Sequence, residues 1–413
     1  MSDAQDRVQV FSKRTVFPTF IVCLLALLLA LFVIQPATAQ IYTDLYSFNL
    51  PGDLSDGALP EAALVRDASG NLYGTTFFGG LGTGCDIYYN GCGVVFKLDP
   101  SGTETVLHAF GGAGAIKDGW NPTASLTVDA AGNLYGTTSF GGAHGYGVVF
   151  KLDPTGKETI LHNFTRGTDG ANPNAGLVQD AAGNLYGTTQ YGGFGCNGQG
   201  CGTVFEINAA GKETVLYRFT SGLDGASPLA GVVLDSSGNI YGTTWLGGIY
   251  GFGTVFQLDS SGNEKVLHTF ASGSDGANPI GTPTLDQAGN IYGTTSAGGA
   301  SANGPLGAGT VFVVDVLGNE NILYTFTGGA DGASPYSSLI LDASGNFYGT
   351  NQLALFELSG SPLTLLHAYD FSAAGTDGSI PMGPLVPDSA GNFYGTTVQG
   401  GANGWGAVFK IQF

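Results

Sequence analysis

Apolar residues occur along this sequence in short runs that Gly, Asp and Pro separate. One unit contains four such runs, over 175–180, 184–189, 202–207 and 213–219. The runs are rich in β-branched and aromatic residues, which favours strands over helices. No stretch after residue 40 keeps a 3.6-residue period, so the pattern predicts an all-β fold.

The same unit recurs seven times along the chain. Its most regular part is the string Gly-Asn-(Leu/Ile/Phe)-Tyr-Gly-Thr, whose copies lie 46 to 62 residues apart. The Asn residues of the copies are Asn71, Asn133, Asn184, Asn239, Asn290, Asn346 and Asn392. Seven four-stranded units match a β-propeller in which each unit is one blade. A linear solenoid is the structural alternative.

Two of the four links in each unit are tight turns. In 180–184 and 153–157, Asp or Pro comes early and Gly late, as hairpin turns with a left-handed position require. The other links are longer: a Gly-Gly-x(n)-Gly-x-Gly loop between the second and third strands, and an Asp-Gly-x-x-Pro loop into the next unit. Because antiparallel strands alternate in direction, both long loops are expected on one face.

The ends of the chain favour a closed ring. Residues 41–48 align with a fourth strand, whereas 407–411 form a third strand, so the last unit lacks its outer strand. Pairing of the two ends would complete the last blade and remove the exposed edges of an open array. We therefore expect residues 40–413 to form a single seven-bladed β-propeller, closed by the N-terminal strand.

Residues 1–39 have the layout of a signal peptide. Basic residues precede an apolar run over 17–34, and the small-x-small triplet 37–39 places the expected cut before Gln40. An uncleaved anchor helix is the alternative, since about 18 apolar residues can just span a bilayer. We expect cleavage, no membrane span in the mature chain, and a secreted or periplasmic location.

Composition and charge narrow the class of protein. Gly accounts for 70 of 413 residues without the three-residue period of collagen, and the 43% of hydrophobic residues can bury a large core. The formal net charge of -19 is unfavourable for binding nucleic acid or anionic membranes. We therefore expect a folded, acidic monomer that binds neither nucleic acid nor an anionic membrane.

The repeat also resembles a known family. It reads Asp-x-x-Gly-Asn-Leu-Tyr-Gly-Thr-Thr, then Gly-Gly, Gly-x-Gly-x-Val-Phe-Lys-Leu-Asp and Glu-Thr-Val-Leu-His-x-Phe. This pattern, which extends from about residue 41 to the end of the chain, resembles the GloVer-type tandem repeat of exported bacterial proteins. The resemblance implies an exported bacterial protein and no particular reaction, because that family has no assigned activity.

Four of the five cysteines form two close pairs. Cys85 and Cys92 lie in the second-to-third-strand loop of blade 1, and Cys196 and Cys201 lie in the same loop of blade 3. The pattern predicts a disulfide within each loop, which suits an exported protein. A zinc site is the alternative, but the Cys spacing is not Cys-x-x-Cys and no His pair has zinc-ligand spacing, so no metal site is assigned.

His and Asp recur at fixed positions of the repeat. Four His share a fourth-strand position with the Tyr of other blades, which indicates a structural role. One ring of Asp starts the tight turns, where carboxylates accept backbone N–H bonds. A second ring begins the blade-to-blade loops: Asp56, Asp118, Asp169, Asp224, Asp275, Asp331 and Asp377. Capping is the structural interpretation of this ring, and attraction of Ca²⁺ is the alternative; no other cofactor is expected.

Aromatic residues are frequent in the loops predicted to share one face. The candidate ligand-binding residues are Trp120, Trp245, Trp405, Tyr146, His144 and Tyr250. Few Lys or Arg accompany them, which favours flat, neutral, hydroxyl-rich ligands such as polysaccharides, whose C–H faces can pack on the rings. The alternative is that these rings fill gaps between blades.

No nucleophile, zinc-protease or P-loop motif is visible. The first strands, which are expected to line the central channel, offer mainly small and aliphatic residues, with Glu61 the nearest exception. The sequence thus favours a non-enzymatic binding or surface-interaction module with a polysaccharide or another cell-envelope partner. A polysaccharide lyase or hydrolase using the same face and a purely structural envelope protein are the alternatives. No catalytic residue is assigned.

Overall fold

A computed structural model of the protein describes residues 40–49, 55–80, 85, 91–111, 116–299, 307–371 and 377–412. The predicted signal peptide, residues 1–39, lies outside the described residues, so the signal and the choice between cleavage and anchoring stay predictions. The described residues form seven antiparallel sheets, six with four strands and one with five. Each sheet is one blade, and the predicted seven-bladed all-β fold is confirmed.

In blades 1 to 4 and in blade 6 the four strands lie side by side in chain order, whereas blade 5 has an additional strand and blade 7 takes its fourth strand from the N-terminus. The first strands are Val65–Arg66, Thr127–Val128, Val178–Gln179, Val233–Leu234, Thr284–Leu285, Ile340–Leu341 and Val386–Pro387. The second strands are Leu72–Thr76, Leu134–Thr138, Leu185–Thr189, Ile240–Thr244, Ile291–Ala297, Phe347–Thr350 and Asn392–Thr397. The third strands are Val94–Leu98, Val148–Leu152, Thr203–Ile207, Thr254–Leu258, Thr310–Val314, Ala354–Ser359 and Ala407–Gln412. The fourth strands of blades 1 to 6 are Glu104–Ala109, Glu158–Asn163, Glu213–Arg218, Glu264–Thr269, Glu320–Thr325 and Thr364–Asp370.

The N-terminal strand closes the ring. Ile41–Ser47 pairs antiparallel with Ala407–Gln412, with Ile41 opposite Gln412 and Ser47 opposite Ala407, and serves as the fourth strand of blade 7. This pairing confirms the closure predicted from the two chain ends. A linear solenoid is excluded, because its terminal strands would not meet.

Two local predictions need correction. The first strands contain only two residues, because the run before each lies outside the sheet; in blade 3 residues 174–176 line the central cavity. Blade 5 has an additional strand, Ala277–Pro279, and blade 6 lacks the Gly-Gly loop. In blade 6 the side chain of Asn351 replaces that loop by accepting the backbone N–H groups of Leu353 and Ala354 at 3.0 and 2.8 Å. Three short 3-10 turns complete the described elements: Ile116–Asp118, Cys196–Gly198 and Gly273–Asp275.

A chain of Phe pairs joins the blades around the ring. The Phe after each fourth strand packs on the third-strand Phe of the next blade, as Phe110 does on Phe150 with ring centroids 5.2 Å apart. Both rings are fully buried. In the last step the N-terminal segment supplies Phe48, which packs on Phe96 of blade 1 at 5.3 Å. The core therefore lies between blades, and each blade depends on its neighbours.

The recurring Gly-Thr-Thr has a role at each position. The Gly faces the third-strand Phe, and a Cβ added at Gly242 would lie 2.5 Å from the ring of Phe256. The first Thr bonds to the next blade: the hydroxyl of Thr188 donates to the Ala230 carbonyl at 2.8 Å. The second Thr holds its own loop, since the hydroxyl of Thr189 donates to the carbonyl of residue 191 at 2.8 Å.

Candidate functional site

The long-loop face is the end of the ring that carries the second-to-third-strand loops and the blade-to-blade loops. Antiparallel bridges join the two kinds of loop: Trp120 pairs with Phe140, and Ala226 pairs with Leu246. Equivalent bridges recur in other blades. The predicted grouping of both long loops on one face is confirmed.

One loop position carries an aromatic residue in three blades. Tyr146, Phe252 and Trp405 each stand between two glycines just before a third strand. The backbone carbonyl of Tyr146 accepts the N–H of Asn172 in the next blade at 2.9 Å, and the other two carbonyls accept equivalent bonds of 2.8 and 2.9 Å. This position therefore ties neighbouring blades together through its backbone.

Cys92 and Cys201 occupy that same position in blades 1 and 3. Both are fully buried, and disulfides join them to Cys85 and Cys196. The Cα atoms are 5.4 and 5.2 Å apart, within the usual range for a disulfide. The predicted pairing within each loop is confirmed, and a disulfide stands where other blades place an aromatic ring.

All three candidate Trp side chains are half-buried, and their surroundings differ. Trp405 packs against Ala58 and Phe78 of blade 1, as the gap-filling interpretation expects. Trp120 stacks on Phe140 with ring centroids 4.8 Å apart and an interplanar angle of 28°. Because Phe140 is itself exposed, the Trp120 stack borders solvent. Trp245 begins the long loop of blade 4.

Exposed apolar side chains of the described long loops concentrate in blades 2 to 4. They are Phe140, Phe194, Leu223, Leu246, Ile249, Tyr250 and Phe252, with exposed fractions of 36% to 69%. His144 occupies in blade 2 the loop position that Tyr250 has in blade 4, and it is exposed too. We call these eight residues and Trp120 the blade 2–4 surface. Of the predicted residues it unites Trp120, His144 and Tyr250, with half-buried Tyr146 in the same loop as His144, whereas Trp405 belongs to blade 7.

Sequence reasoning missed Phe140 and Phe194 as candidates. Phe140 follows the second strand of blade 2, where Tyr191 stands in blade 3, so alignment of the repeats could have found it. Phe194 lies in the Gly-rich disulfide loop of blade 3, beside Cys196, and is 62% exposed. It directly follows the Gly-Gly pair, where blade 2 has Ala143 and blade 4 has Ile249, so the repeat carries no aromatic signal at this position.

Hydrogen bonds from neighbouring residues hold the second Asp ring. Asp224 accepts the backbone N–H of Thr220 at 2.8 Å and the hydroxyl of Tyr217 at 3.2 Å. In another blade Nε2 of His268 lies 3.0 Å from Oδ1 of Asp275. Tyr and His thus contact the same carboxylate, which explains their exchange between blades and supports the structural interpretation. The prediction that a fourth His shares this position was wrong: in blade 6 Tyr369 stands there and donates to Asp377 at 2.7 Å, whereas His367 lies opposite Glu357. Attraction of Ca²⁺ by this ring stays a prediction.

Glu residues that begin fourth strands approach the preceding blade. Nε2 of His108 lies 3.6 Å from Oδ2 of Asp118 and 3.8 Å from Oε1 of Glu158. Burial raises the pKa of four such carboxyl groups to about 7: Glu104, Glu158, Glu264 and Glu320. One oxygen of each is buried with no hydrogen-bond partner among the described residues.

Two of these inter-blade groups bring ligand atoms close enough to hold a metal ion. They are His108, Asp118 and Glu158, and His268, Asp275 and Glu320, with ligand atoms within 4.8 Å of one another. No sequence spacing reveals them, because each set takes its Glu from a different blade than its His. Tyr replaces the His in other blades, which supports a structural role for this position in the contact between blades.

Acidification from about pH 8 to about pH 5 is expected to raise the free energy of unfolding. Between the ordinary Glu pKa of 4.5 and the folded value of about 7, the folded chain binds more protons than the unfolded chain. Stability therefore falls as pH rises through this window. Urea unfolding followed by fluorescence at several pH values measures the slope.

The trend should reverse at about pH 4 and below, because the tight-turn carboxylates have lowered pKa values. Burial alone would raise the pKa of Asp388, but hydrogen bonds from Asn392 and Ala390 outweigh burial and lower it to about 2. As a control, Glu158→Gln should weaken the dependence between about pH 5 and 8. A free energy of unfolding that falls steadily from pH 8 to pH 5 would contradict the expectation.

The central channel opens on the long-loop face through a cavity of about 410 Å³. Glu61 is the one carboxyl group among the described residues that line it. Glycosidases use two carboxyl groups roughly 5 to 10 Å apart, so the described lining of this cavity does not offer such a pair. A second cavity, of about 800 Å³, lies beside the tight turns of blades 3 and 4, where Asp180 and Asp235 accept bonds from their own turns.

Solved structures with the same fold are distant in sequence. The structure is similar to virginiamycin B lyase from Staphylococcus aureus, with a TM-score of 0.59 and 14% identity over 91% of this chain and 99% of that chain. It is similar to the extracellular domain of a putative hybrid two component system from B. thetaiotaomicron, with a TM-score of 0.58 and 11% identity over 89% of this chain and 39% of the other. It is also similar to PorZ, a surface component of the type-IX secretion system of Porphyromonas gingivalis, with a TM-score of 0.56 and 15% identity over 89% of this chain and 48% of that chain. At these identities the likeness shows the β-propeller fold alone.

Sequence comparison identifies the family. No curated protein matches this sequence. Among the described residues, no helix is both long and apolar enough to span a bilayer.

The Gloeobacter/Verrucomicrobia repeat matches residues 30–193 and 81–306, which together make up more than half of the chain. This match confirms the resemblance seen in the repeat motif, and the chain belongs to the Gloeobacter/Verrucomicrobia repeat family.

Proposed function

We propose that this protein is an extracytoplasmic, non-enzymatic binding module that holds carbohydrate on the blade 2–4 surface. The observation that carries the proposal is the concentration of exposed rings on one face: Phe140, Phe194, Tyr250 and Phe252. Exposed apolar patches on a soluble domain mark binding surfaces. Sugar rings present flat C–H faces that pack on such aromatic rings.

The charge around these rings supports a neutral ligand. The described long loops of blades 2 to 4 hold two Lys or Arg side chains: exposed Lys117, three residues before Trp120, and Arg166, whose guanidinium lies over the ring of Tyr146 at 5.6 Å. A strongly anionic ligand would find little complementary charge there. The overall net charge of -19 also opposes polyanions.

The location rests on the disulfides and on the N-terminal pattern. Disulfides persist in oxidising compartments outside the cytoplasm. Both pairs brace loops of the long-loop face, in blades 1 and 3. The apolar run that precedes Gln40 has the order of charge, hydrophobicity and small residues that export requires.

Titration of the mature protein with a panel of neutral and acidic polysaccharides, with and without Ca²⁺, tests the proposal. Binding should change the Trp fluorescence saturably, since Trp120 stacks on exposed Phe140. Phe140→Ala and Tyr250→Ala should each weaken binding about tenfold, which corresponds to about 1.4 kcal/mol. Assay of new reducing ends separates a binder from the lyase or hydrolase alternative.

Leu317→Ala is the matched control. Leu317 is 78% exposed in a tight turn of blade 5, on the opposite face, and its truncation should leave the affinity unchanged. Equal loss of affinity in Leu317→Ala and Tyr250→Ala would contradict the assigned surface. Absence of a response to every polysaccharide would overturn the carbohydrate proposal and favour the structural envelope role.

A further inference from the structure

Each blade contributes one side chain to the mouth of the central channel. This residue follows the Pro of the blade-to-blade loop, where the chain turns towards the axis of the ring. The seven residues are Glu61, Thr123, Asn174, Leu229, Ile280, Tyr336 and Met382. All seven are half-buried and line the same cavity, so every blade contributes to the wall of the channel mouth.

Small residues that follow these side chains along the chain form the wall of the channel without gaps between blades. A Cβ added at Gly281 would lie 2.6 Å from the carbonyl oxygen of Ser337, and one added at Gly383 would lie 2.7 Å from that of Ala62. Backbones of adjacent blades thus touch and leave no gap for a side chain. The cavity of about 410 Å³ falls within the range that small organic ligands occupy.

The lining is chemically uneven around the ring. Glu61, Thr123 and Asn174 come from the consecutive blades 1 to 3, and they form a polar arc. Leu229 and Ile280 come from blades 4 and 5, and with Met382 of blade 7 they form most of an apolar arc. A ligand that fits both arcs has a polar or charged end and a hydrocarbon body.

Other polar groups of the mouth already have partners. The amide of Asn174 accepts from the Ser139 hydroxyl at 2.7 Å and donates to Gln190 at 2.8 Å. The hydroxyl of Tyr336 accepts from the Gln352 amide at 3.0 Å. These bonds hold the two side chains in place.

Glu61 differs from these groups. No described residue donates a hydrogen bond to its carboxyl group or lies beside it as a cation. Burial raises the pKa of Glu61 to about 7, because ionisation is costly in this setting. A half-buried carboxylate of this kind gains most from a partner that brings its own positive charge.

We propose that the channel mouth is a binding site for a small organic monocation, an ammonium group on an apolar body. The ammonium pairs with Glu61 at the polar arc, and the hydrocarbon packs against Leu229, Ile280 and Met382. This site is built from residues other than the blade 2–4 surface, and it stands whether or not that surface binds carbohydrate. The excess of acidic side chains adds a long-range attraction for cations.

Calorimetric titration of the mature protein with benzylammonium, at about pH 8 where Glu61 is ionised, tests the site. Benzyl alcohol and benzoate, which have nearly the same shape, are the neutral and anionic comparisons. We expect benzylammonium to bind at least about tenfold more tightly than benzyl alcohol, and benzoate to show no binding. Glu61→Gln should remove the preference for the cation.

Two further variants keep the result decisive. Ile280→Ala should weaken benzylammonium and benzyl alcohol alike, because it removes apolar contact and leaves the charge. Glu206→Gln removes a carboxylate from a third strand outside the cavity and should leave both affinities unchanged. Thermal unfolding of Glu61→Gln shows that the variant is folded, and its midpoint at about pH 8 should equal or exceed that of the parent.

Three outcomes would overturn the proposal. They are absence of benzylammonium binding to the parent protein, binding that Glu61→Gln leaves unchanged, and equal binding of benzoate. None of these depends on the polysaccharide titration, so failure of one site does not decide the other.

Discussion

Removal of the N-terminal strand is expected to lower the free energy of unfolding by more than about 5 kcal/mol. A chain that begins at Asp53 loses the pairing of Ile41–Ser47 with Ala407–Gln412 and the fully buried Phe48. Truncation of a buried Phe alone costs about 3 to 5 kcal/mol. Urea unfolding of the shortened and full mature chains measures the difference.

The shortened chain should also associate with itself, because the last strand is left with unpaired backbone groups at an open edge. Size-exclusion chromatography detects this change. A synthetic peptide of residues 40–49 should restore the monomer and part of the stability. Equal unfolding midpoints for the two chains would contradict ring closure as a source of stability.

Single substitutions in the closing segment provide the matched controls. Phe48→Ala should reproduce a large part of the loss, since Phe48 supplies the ring contact with Phe96 in the step from blade 7 to blade 1. Ile41→Ala should have little effect, because Ile41 is 58% exposed at the start of the same strand. Comparison of the two losses of unfolding free energy separates the contribution of the buried Phe48 ring from that of the strand pairing, which both variants keep.

Gly242→Ala is expected to destabilise the protein by about 1 to 3 kcal/mol through overpacking. The added Cβ would lie 2.5 Å from Cζ of Phe256, and both residues belong to the centre of blade 4. Phe256→Ala should cost about 3 to 5 kcal/mol by leaving a cavity. Urea unfolding of each variant gives these values.

A double-mutant cycle tests the physical reason. Phe256→Leu shortens the side chain that opposes the added methyl group, so Gly242→Ala should cost less in the Phe256→Leu background. Gly329→Ala is the control: its φ is not in the left-handed region, and one hydroxyl at 3.2 Å is its close contact. Additive costs for Gly242→Ala and Phe256→Leu would contradict the packing explanation.

The Gly and Phe pair explains why the repeat retains Tyr-Gly-Thr in every blade. A Cβ added at any of the seven Gly would lie 2.5 to 2.7 Å from the third-strand ring. The flanking residues have equally local duties: the hydroxyl of Tyr186 donates to Asp180 at 3.1 Å. The regular motif therefore serves folding, and binding chemistry is expected where blades differ.

The blades differ at the loop tips and at the channel mouth. Blade 4 exposes Tyr250 and Phe252, whereas the corresponding blade 7 loop carries Asn403 and half-buried Trp405. At the channel mouth Glu61 stands in a position that other blades give to uncharged residues. Both proposals rest on such departures from the repeat.

The architecture could be predicted from the pattern of the amino-acid sequence. Seven copies of a four-strand unit, tight turns with Asp early and Gly late, and a spare strand at the N-terminus predicted a closed propeller, and Ile41–Ser47 pairs as expected. Cys85 with Cys92 and Cys196 with Cys201 were predictable as well, because each pair lies within one loop. These features depend on contacts between residues close in sequence or at matching repeat positions.

Contacts between side chains of different blades could not be predicted from that pattern and became visible in the folded chain. Glu158 reaches His108 of the preceding blade, 50 residues earlier, and Glu61 shares a cavity with Met382 from the far end of the chain. The sequence also did not predict which loop aromatic side chains are exposed: Trp405 packs against Ala58 and Phe78 of blade 1, whereas Phe194 is exposed to solvent. The physical reason is that strand periodicity reports which face of a blade a residue occupies, while burial depends on how the neighbouring blade is placed against that face.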